Sequence, residues 1–221
     1  MNAGNARYLT ANDLPQKVAV FPLAGALLLP GNRLPLNIFE PRYLAMMDTA
    51  IAGNRLIGMI QPASEEEAEK QKPVLAKVGC LGRITSFMET GDGRLLITLT
   101  GVCRFRVTEE LTTTTPFRQI QFAPFLGDLD EEDDSTVDRE TLLSTFRDFL
   151  EANQLEADWD NVTRASNASL VNSLSMMAPF GLAEKQALLE APDLKTRAET
   201  LIAITEIILA RDADGGSSML Q

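Results

Sequence analysis

Short apolar runs punctuated by prolines and glycines mark the first 125 residues, and a three-to-four-residue period follows them. Residues 17–21 (KVAVF) read as a first strand ended by Pro22. Residues 26–29 (ALLL) form a second short apolar run, stopped by the turn dipeptide Pro30-Gly31. Residues 34–39 (LPLNIF) read as extended, with Pro35 at an edge or bulge because it has no N–H to donate to a ladder. Alternation assigns Phe21, Leu36, Ile38 and Phe39 mainly to the core. Pro41 suits the first turn of a helix, where its missing N–H costs nothing. Leu44, Met47 and Ile51 share one face of that helix, and Gly53 ends it. Strands are predicted at 55–61, 74–88 and 94–100, the last two joined through the hairpin dipeptide Asp92-Gly93. Gly79 and Gly82 allow bends, and Gly101 is expected to break or bend the last run. Cys103, Phe105 and Val107 then alternate with Arg104 and Arg106, which puts both arginines on one strand face, solvated or at the rim of a groove. Phe117, Ile120 and Phe122 mark a final strand before Pro124.

Helical periodicity follows. An apolar face of Leu142, Leu143, Phe146, Phe149 and Leu150 predicts a helix over 136–152, and further helices are predicted at 167–177, 182–190 and 194–210, with Asp193 capping the last. Trp159, between helices, reads as a core anchor or cap. The expected organisation is a flexible tail (1–15), a β-rich subdomain with one inserted helix (16–126), an acidic linker (127–135), a helical bundle (136–211) and a second flexible tail (212–221). This is an α+β chain.

Charge sharpens that division. Residues 1–127 carry 13 Lys/Arg against 11 Asp/Glu, and residues 128–221 carry 7 against 20. The acidic second half repels phosphate backbones, so nucleic acid is disfavoured as a partner. The 221 residues contain no histidine, which excludes Ser-His-Asp and Cys-His nucleophile systems. No GxxxxGK[ST] loop is present to cradle a nucleotide. Ser64 and Lys70 share a loop, but that loop offers no apolar site to lower a lysine pKa. The carboxylates at 128–134 lie in a hydrophilic run that reads as solvated linker. Cys80 and Cys103 are expected as buried, reduced thiols, without metal-ligand spacing. No catalytic residue, metal or cofactor is therefore expected. With no apolar run of membrane-spanning length and no apolar leader segment, a cytoplasmic protein is expected.

Four segments resemble the Lon protease N-terminal (substrate-binding) domain family. They are the opening stretch with FPL at 21–23, LLLPG at 27–31 and LPLNIFEPRY at 34–43, followed by Met46 or Met47; GCLGRIT at 79–85; GDGRLLITLTGVCRFRV at 91–107, with a DGR turn and a GxxRFxV strand; and KQALLE at 185–190. They keep the family's order over roughly residues 17–210. The resemblance implies a PUA-like β subdomain followed by a small helical bundle, in a stand-alone relative without the ATPase and protease domains. It implies a non-enzymatic module that binds unfolded or exposed polypeptide segments, an adaptor or holdase in protein quality control, with room for self-association. Some PUA-like folds bind RNA, so a nucleic-acid-binding module is the alternative. The polypeptide-binding residues expected are Leu27, Leu28 and Leu29, as an exposed apolar loop tip, with Arg33, Arg42 and Tyr43 around them. Glu40 and Arg42 flank Pro41 and are read first as the ion pair or cap of a strand-to-helix corner. Tyr43 is expected to pack its ring and offer its hydroxyl to a backbone partner.

Overall fold

The computed structural model describes residues 1–130 and 135–217; positions 131–134 of the expected linker and 218–221 of the expected C-terminal tail lie outside the described residues. The chain forms two compact units, Met1–Glu131 with Pro179–Leu189, and Glu132–Ala178 with Glu190–Gln221.

The first unit begins with a small hairpin, β1 (Asn2–Ala3) and β2 (Ala6–Arg7). A flexible tail was expected over 1–15, and this expectation is corrected. Ala3 and Tyr8 are buried in the main core, and Arg83 donates to the Tyr8 hydroxyl and to Asn5 at 3.2 and 3.0 Å. The polar composition hid a segment that docks through Ala3 and Tyr8, with Met1, Ala6 and Leu14 packed against the same core. β3 (Lys17–Pro22), β4 (Arg33–Ile38), helix α1 (Pro41–Ala52) and β5 (Leu56–Pro62) follow. The loop after β5 holds one helical turn, α2 (Glu65–Ala68), capped by the Ser64 hydroxyl on the Glu67 N–H. β6 (Leu75–Thr90), β7 (Arg94–Leu111) and β8 (Arg118–Pro124) complete the sheet.

The strand order is β4-β7-β6-β5-β3-β8, and β8 also pairs with β7, which closes five strands into a barrel. β4 lies outside that closure, held along the first half of β7 with Leu36 opposite Ile97. Pro35 therefore sits on an edge strand, as its missing donor requires. Val20, Leu81, Val102, Cys103, Phe105 and Ile120 fill the barrel interior. Burial pushes both cysteine thiols up, that of Cys103 to about 12, so neither is a thiolate near neutral pH.

Gly101 does not end its strand. β7 runs through it, and the glycine lets another backbone cross. The Gly31 N–H donates to the Gly101 carbonyl at 3.0 Å, and the Gly101 N–H to the Asn32 carbonyl at 2.9 Å. This crossing presses Leu27, Leu28 and Leu29 into the interior, where each is at most 2% exposed.

Helical period alone groups residues 182–190 with the C-terminal helices. The structure instead packs α6 (Leu182–Glu190), through Leu189, in the β unit. Leu182, Leu188 and Leu189 are buried there, and polar side chains lock the helix in place. Buried Gln61 of β5 donates to the Leu182 carbonyl and to Gln186, and Gln186 donates to the Val78 carbonyl. Lys185 donates to the Gly25 carbonyl at 2.7 Å. The KQALLE motif is thus a docking helix for the barrel.

Three α-helices of the second unit meet through apolar faces: α3 (Arg139–Ala152), α5 (Asn167–Met177) and α7 (Leu194–Ser217). Leu142, Phe149 and Leu150 of α3, Leu170 and Val171 of α5, and Ala198 and Leu201 of α7 are buried. Asp138 and Asp193 cap α3 and α7 through the N–H groups of Thr141 and Thr196. Trp159 opens a short helix, α4 (Trp159–Arg164), packs beside Phe146 and lies under Arg147. The backbone of α7 stays helical to Ser217, beyond the expected start of the tail at 212.

Candidate functional site

The exposed loop tip expected of Leu27, Leu28 and Leu29 does not exist. All three are core residues, so replacing them with serine would open the barrel rather than report on a ligand. Arg33 is exposed at the start of β4. Arg42 and Tyr43 open helix α1 and reach a cleft. The six expected contacts therefore separate into a buried wedge, a strand edge and a cleft wall.

The corner between β4 and α1 is built as an ion pair. Glu40 occupies the N-cap position without capping through its side chain, and its carboxylate instead accepts from the Arg42 Nε and Nη2 at 2.9 and 2.8 Å. The Arg42 guanidinium lies 4.5 Å from the Tyr43 ring centroid, and that ring packs on Phe21 at 4.1 Å. Burial raises the Tyr43 phenol above its ordinary value of 10.0, so it stays protonated. The backbone partner expected for its hydroxyl is not found: it makes no hydrogen bond among the described residues.

An apolar face lies on one side of this corner. Residues two apart on a strand share a face, and register partners share it across strands. Met88 of β6 lies opposite Leu96 of β7, which lies opposite Asn37 of β4. Phe39, one residue past β4, continues this row, with the Arg94 guanidinium 5.7 Å from its ring. Phe39, Met88 and Leu96 are 60%, 57% and 39% exposed. Assigning Phe39 to the core is thus corrected. Ile38 is fully buried, and its neighbour must face the other way. That alternation was available from the sequence; the partners Met88 and Leu96 required the register. Among the described residues no strand pairs with the outer edge of β4.

On the other side of the corner, Arg42 and Tyr43 help to line a cleft of about 790 Å³. Lys70, Lys72 and Arg118 add positive charge to its walls, and Glu110 is the one carboxylate in the lining. Arg118 grips Glu110 with two bonds of 2.8 and 2.6 Å and also donates to the Pro73 carbonyl at 2.7 Å. That grip, more than Lys72 at 3.9 Å, holds the Glu110 carboxyl below its ordinary value of 4.5. Its stabilising contribution is present above pH 4.5 and is lost as pH falls through the depressed folded value. Thermal melts on an acid series should show Glu110→Gln losing less stability than wild type below that point; parallel curves would dismiss the grip as a source of stability.

Arg104 and Arg106 do not share an environment. Arg104 is buried, and its guanidinium pairs with Asp128 at 2.7 and 2.8 Å and donates to the Leu189 carbonyl at 3.1 Å. Arg106 is exposed and sits 5.6 Å from the Phe125 ring. Asp128, read as part of a solvated linker, is instead a buried counter-ion. No grouping of three or more His, Cys, Asp or Glu side chains suited to a metal occurs among the described residues. None of their helices is long and apolar enough to cross a membrane.

The family model of the ATP-dependent protease La (LON) substrate-binding domain matches residues 17–206. Similar proteins include the Lon proteases of Flavobacterium johnsoniae, 26% identical over 86% of this chain, and Desulfosudis oleivorans, 27% identical over 85%. The chain spans only 24% and 23% of their lengths. The fold is similar to a Lon N-terminal domain protein from Xanthomonas campestris, with a TM-score of 0.62 and 24% identity, covering 85% of this chain and 97% of that one. The N-terminal domain of a Mycobacterium avium complex Lon protease is similar at a TM-score of 0.59 and 17% identity, over 86% and 98%. The match extends from the first barrel strand through the docking helix and most of α7, and on that extent the chain belongs to the LON substrate-binding domain family.

Proposed function

We propose that this chain is a non-catalytic polypeptide-recognition module, acting as an adaptor or holdase on partly unfolded proteins. The observation that carries this reading is the solvent-facing row of Phe39, Leu96 and Met88 beside the free edge of β4. Large apolar side chains grouped on one sheet face are a docking feature rather than scattered surface residues. An adjacent strand edge can pair with the backbone of an extended segment, which gives affinity without sequence specificity. Pro35 withholds one donor from that edge, which limits uncontrolled strand addition. Membership in a substrate-binding family supports the same reading, and so does the lack of histidine and of a nucleotide loop.

The test is binding of a fluorescent, permanently unfolded, cysteine-alkylated protein, followed by anisotropy. Met88→Glu with Leu96→Glu should weaken binding at least about tenfold, while melting within a few degrees of wild type, because both side chains are already exposed. The unfolded protein should remain intact on prolonged incubation with ATP. Undiminished affinity in the folded double variant rejects the surface, and cleavage rejects the non-catalytic reading.

A further inference from the structure

The apolar face and the basic cleft meet at one corner. Phe39 belongs to the first and Arg42 to the second, and three residues of chain place their Cα atoms no more than about 11 Å apart. A segment that turns around this corner would touch both. The cleft volume, about 790 Å³, lies within the roughly 300–1,000 Å³ of ligand sites. Its lining contrasts with the chain, whose net charge is −11. Arg42, Lys70, Lys72 and Arg118 face a single lining carboxylate, Glu110. Glu40 and Glu67, the partners of Arg42 and Lys70, are not part of the lining. Lys72 is held by Glu110 only at 3.9 Å and is 78% exposed, so its ammonium is available to a second carboxylate. The Tyr43 phenol, kept protonated by burial, adds a neutral donor to the wall.

We infer that this cleft is an anion subsite of the polypeptide surface, and that the segments recognised carry Asp or Glu next to the apolar residues that cover Phe39, Leu96 and Met88. The inference rests on the apolar-face reading above and adds a charge requirement to it. A peptide carboxylate suits the site better than a nucleic-acid backbone. Three acidic side chains already engage the four cations, leaving a small positive excess rather than a phosphate-tracking stripe. The strongly negative chain also repels a dense polyanion at long range.

Three labelled peptides with one apolar core, flanked by runs of Glu, Ser or Lys, separate the two ideas. Wild type should bind the Glu-flanked peptide about tenfold more tightly than the Ser-flanked one, and the Lys-flanked peptide most weakly. The preference should shrink to about twofold in Lys70→Gln with Lys72→Gln and in about 0.5 M NaCl, where exposed charges are screened. Affinity for the Ser-flanked peptide should be unchanged in that variant, which also reports that the fold is intact. Equal affinities for all three peptides in wild type overturn the anion subsite and leave the apolar face standing. A preference that survives the double substitution overturns the assignment to this cleft. Failure of the Ser-flanked peptide to bind, with the Glu-flanked one bound, overturns the apolar face and the shared-segment inference together. A single-stranded oligonucleotide that displaces the Glu-flanked peptide at lower concentration overturns the choice of a polypeptide.

Discussion

Replacing Asp128 with alanine is expected to destabilise the β unit by about 3–5 kcal/mol, because it leaves the Arg104 guanidinium buried without its counter-ion. The two side chains are only 6% and 8% exposed. Asp128 accepts from Nε and Nη2 of Arg104 and also from the Arg104 backbone N–H at 2.8 Å. A single truncation thus removes the carboxylate paired with a buried charge and leaves a backbone donor unmet in the interior. Against a typical total stability of about 5–15 kcal/mol, this is a large fraction. The pair itself is not therefore worth that much, since bringing both ions out of water offsets most of their attraction. The double variant Arg104→Met with Asp128→Leu should recover the part of the loss that comes from the buried charge, leaving the cost of the unmet backbone N–H at position 104. Urea unfolding of the three proteins distinguishes these quantities. A loss under about 1 kcal/mol in Asp128→Ala would mean that water reaches the pair and that it does not anchor the turn at Leu126–Leu129 to β7.

The second large effect is expected at Gly101. A Cβ on this residue would lie 2.1 Å from the Leu29 carbonyl oxygen and 3.2 Å from the Pro30 Cα, both backbone atoms that no rotamer change can move. Gly101→Ala must push the crossing chain away, break its two hydrogen bonds to β7 and withdraw Leu27, Leu28 and Leu29 from the core. The expected cost is more than about 3 kcal/mol, beyond ordinary overpacking, since it adds leucine burial to steric strain. Gly91→Ala is the control. Its Cβ would meet nothing within 4 Å, so its effect should stay within about 0.5 kcal/mol. Circular dichroism melts compare the two, and similar melting temperatures would contradict the close crossing.

Much of the fold was legible locally. Pro41 at a helix start and Gly53 at its end predicted α1, observed as Pro41–Ala52. Short apolar runs predicted strands at 17–21 and 55–61, observed as Lys17–Pro22 and Leu56–Pro62. These signals depend on a few neighbouring residues and on the periods of strand and helix. The candidate site was less legible, because exposure depends on what packs from elsewhere in the chain. Three leucines beside a Pro-Gly turn look the same whether they project into water or wedge beneath Gly101, far along the chain. Arg104 and Arg106 alternate like a solvated pair, but Asp128, 24 residues on, takes one of them into the interior. Helix α6 carries helical period like its neighbours, and only Gln61, Val78 and Gly25 reveal that it belongs to the barrel.

By itself the sequence determined the α+β class, the order of the main strands and helices, the family resemblance and the lack of a histidine and of a P-loop motif in these 221 residues. Each of these is carried by residue identity, short spacing or ordered motifs. Only the tertiary structure decided which apolar residues remain in water, which charges are paired and where the opening motif faces. It turned residues 27–29 into core, raised Phe39, Leu96 and Met88 to one exposed face and drew Arg42 and Tyr43 into a basic cleft. Those outcomes follow from register and long-range packing, in which each position's environment is supplied by residues far from it in the chain.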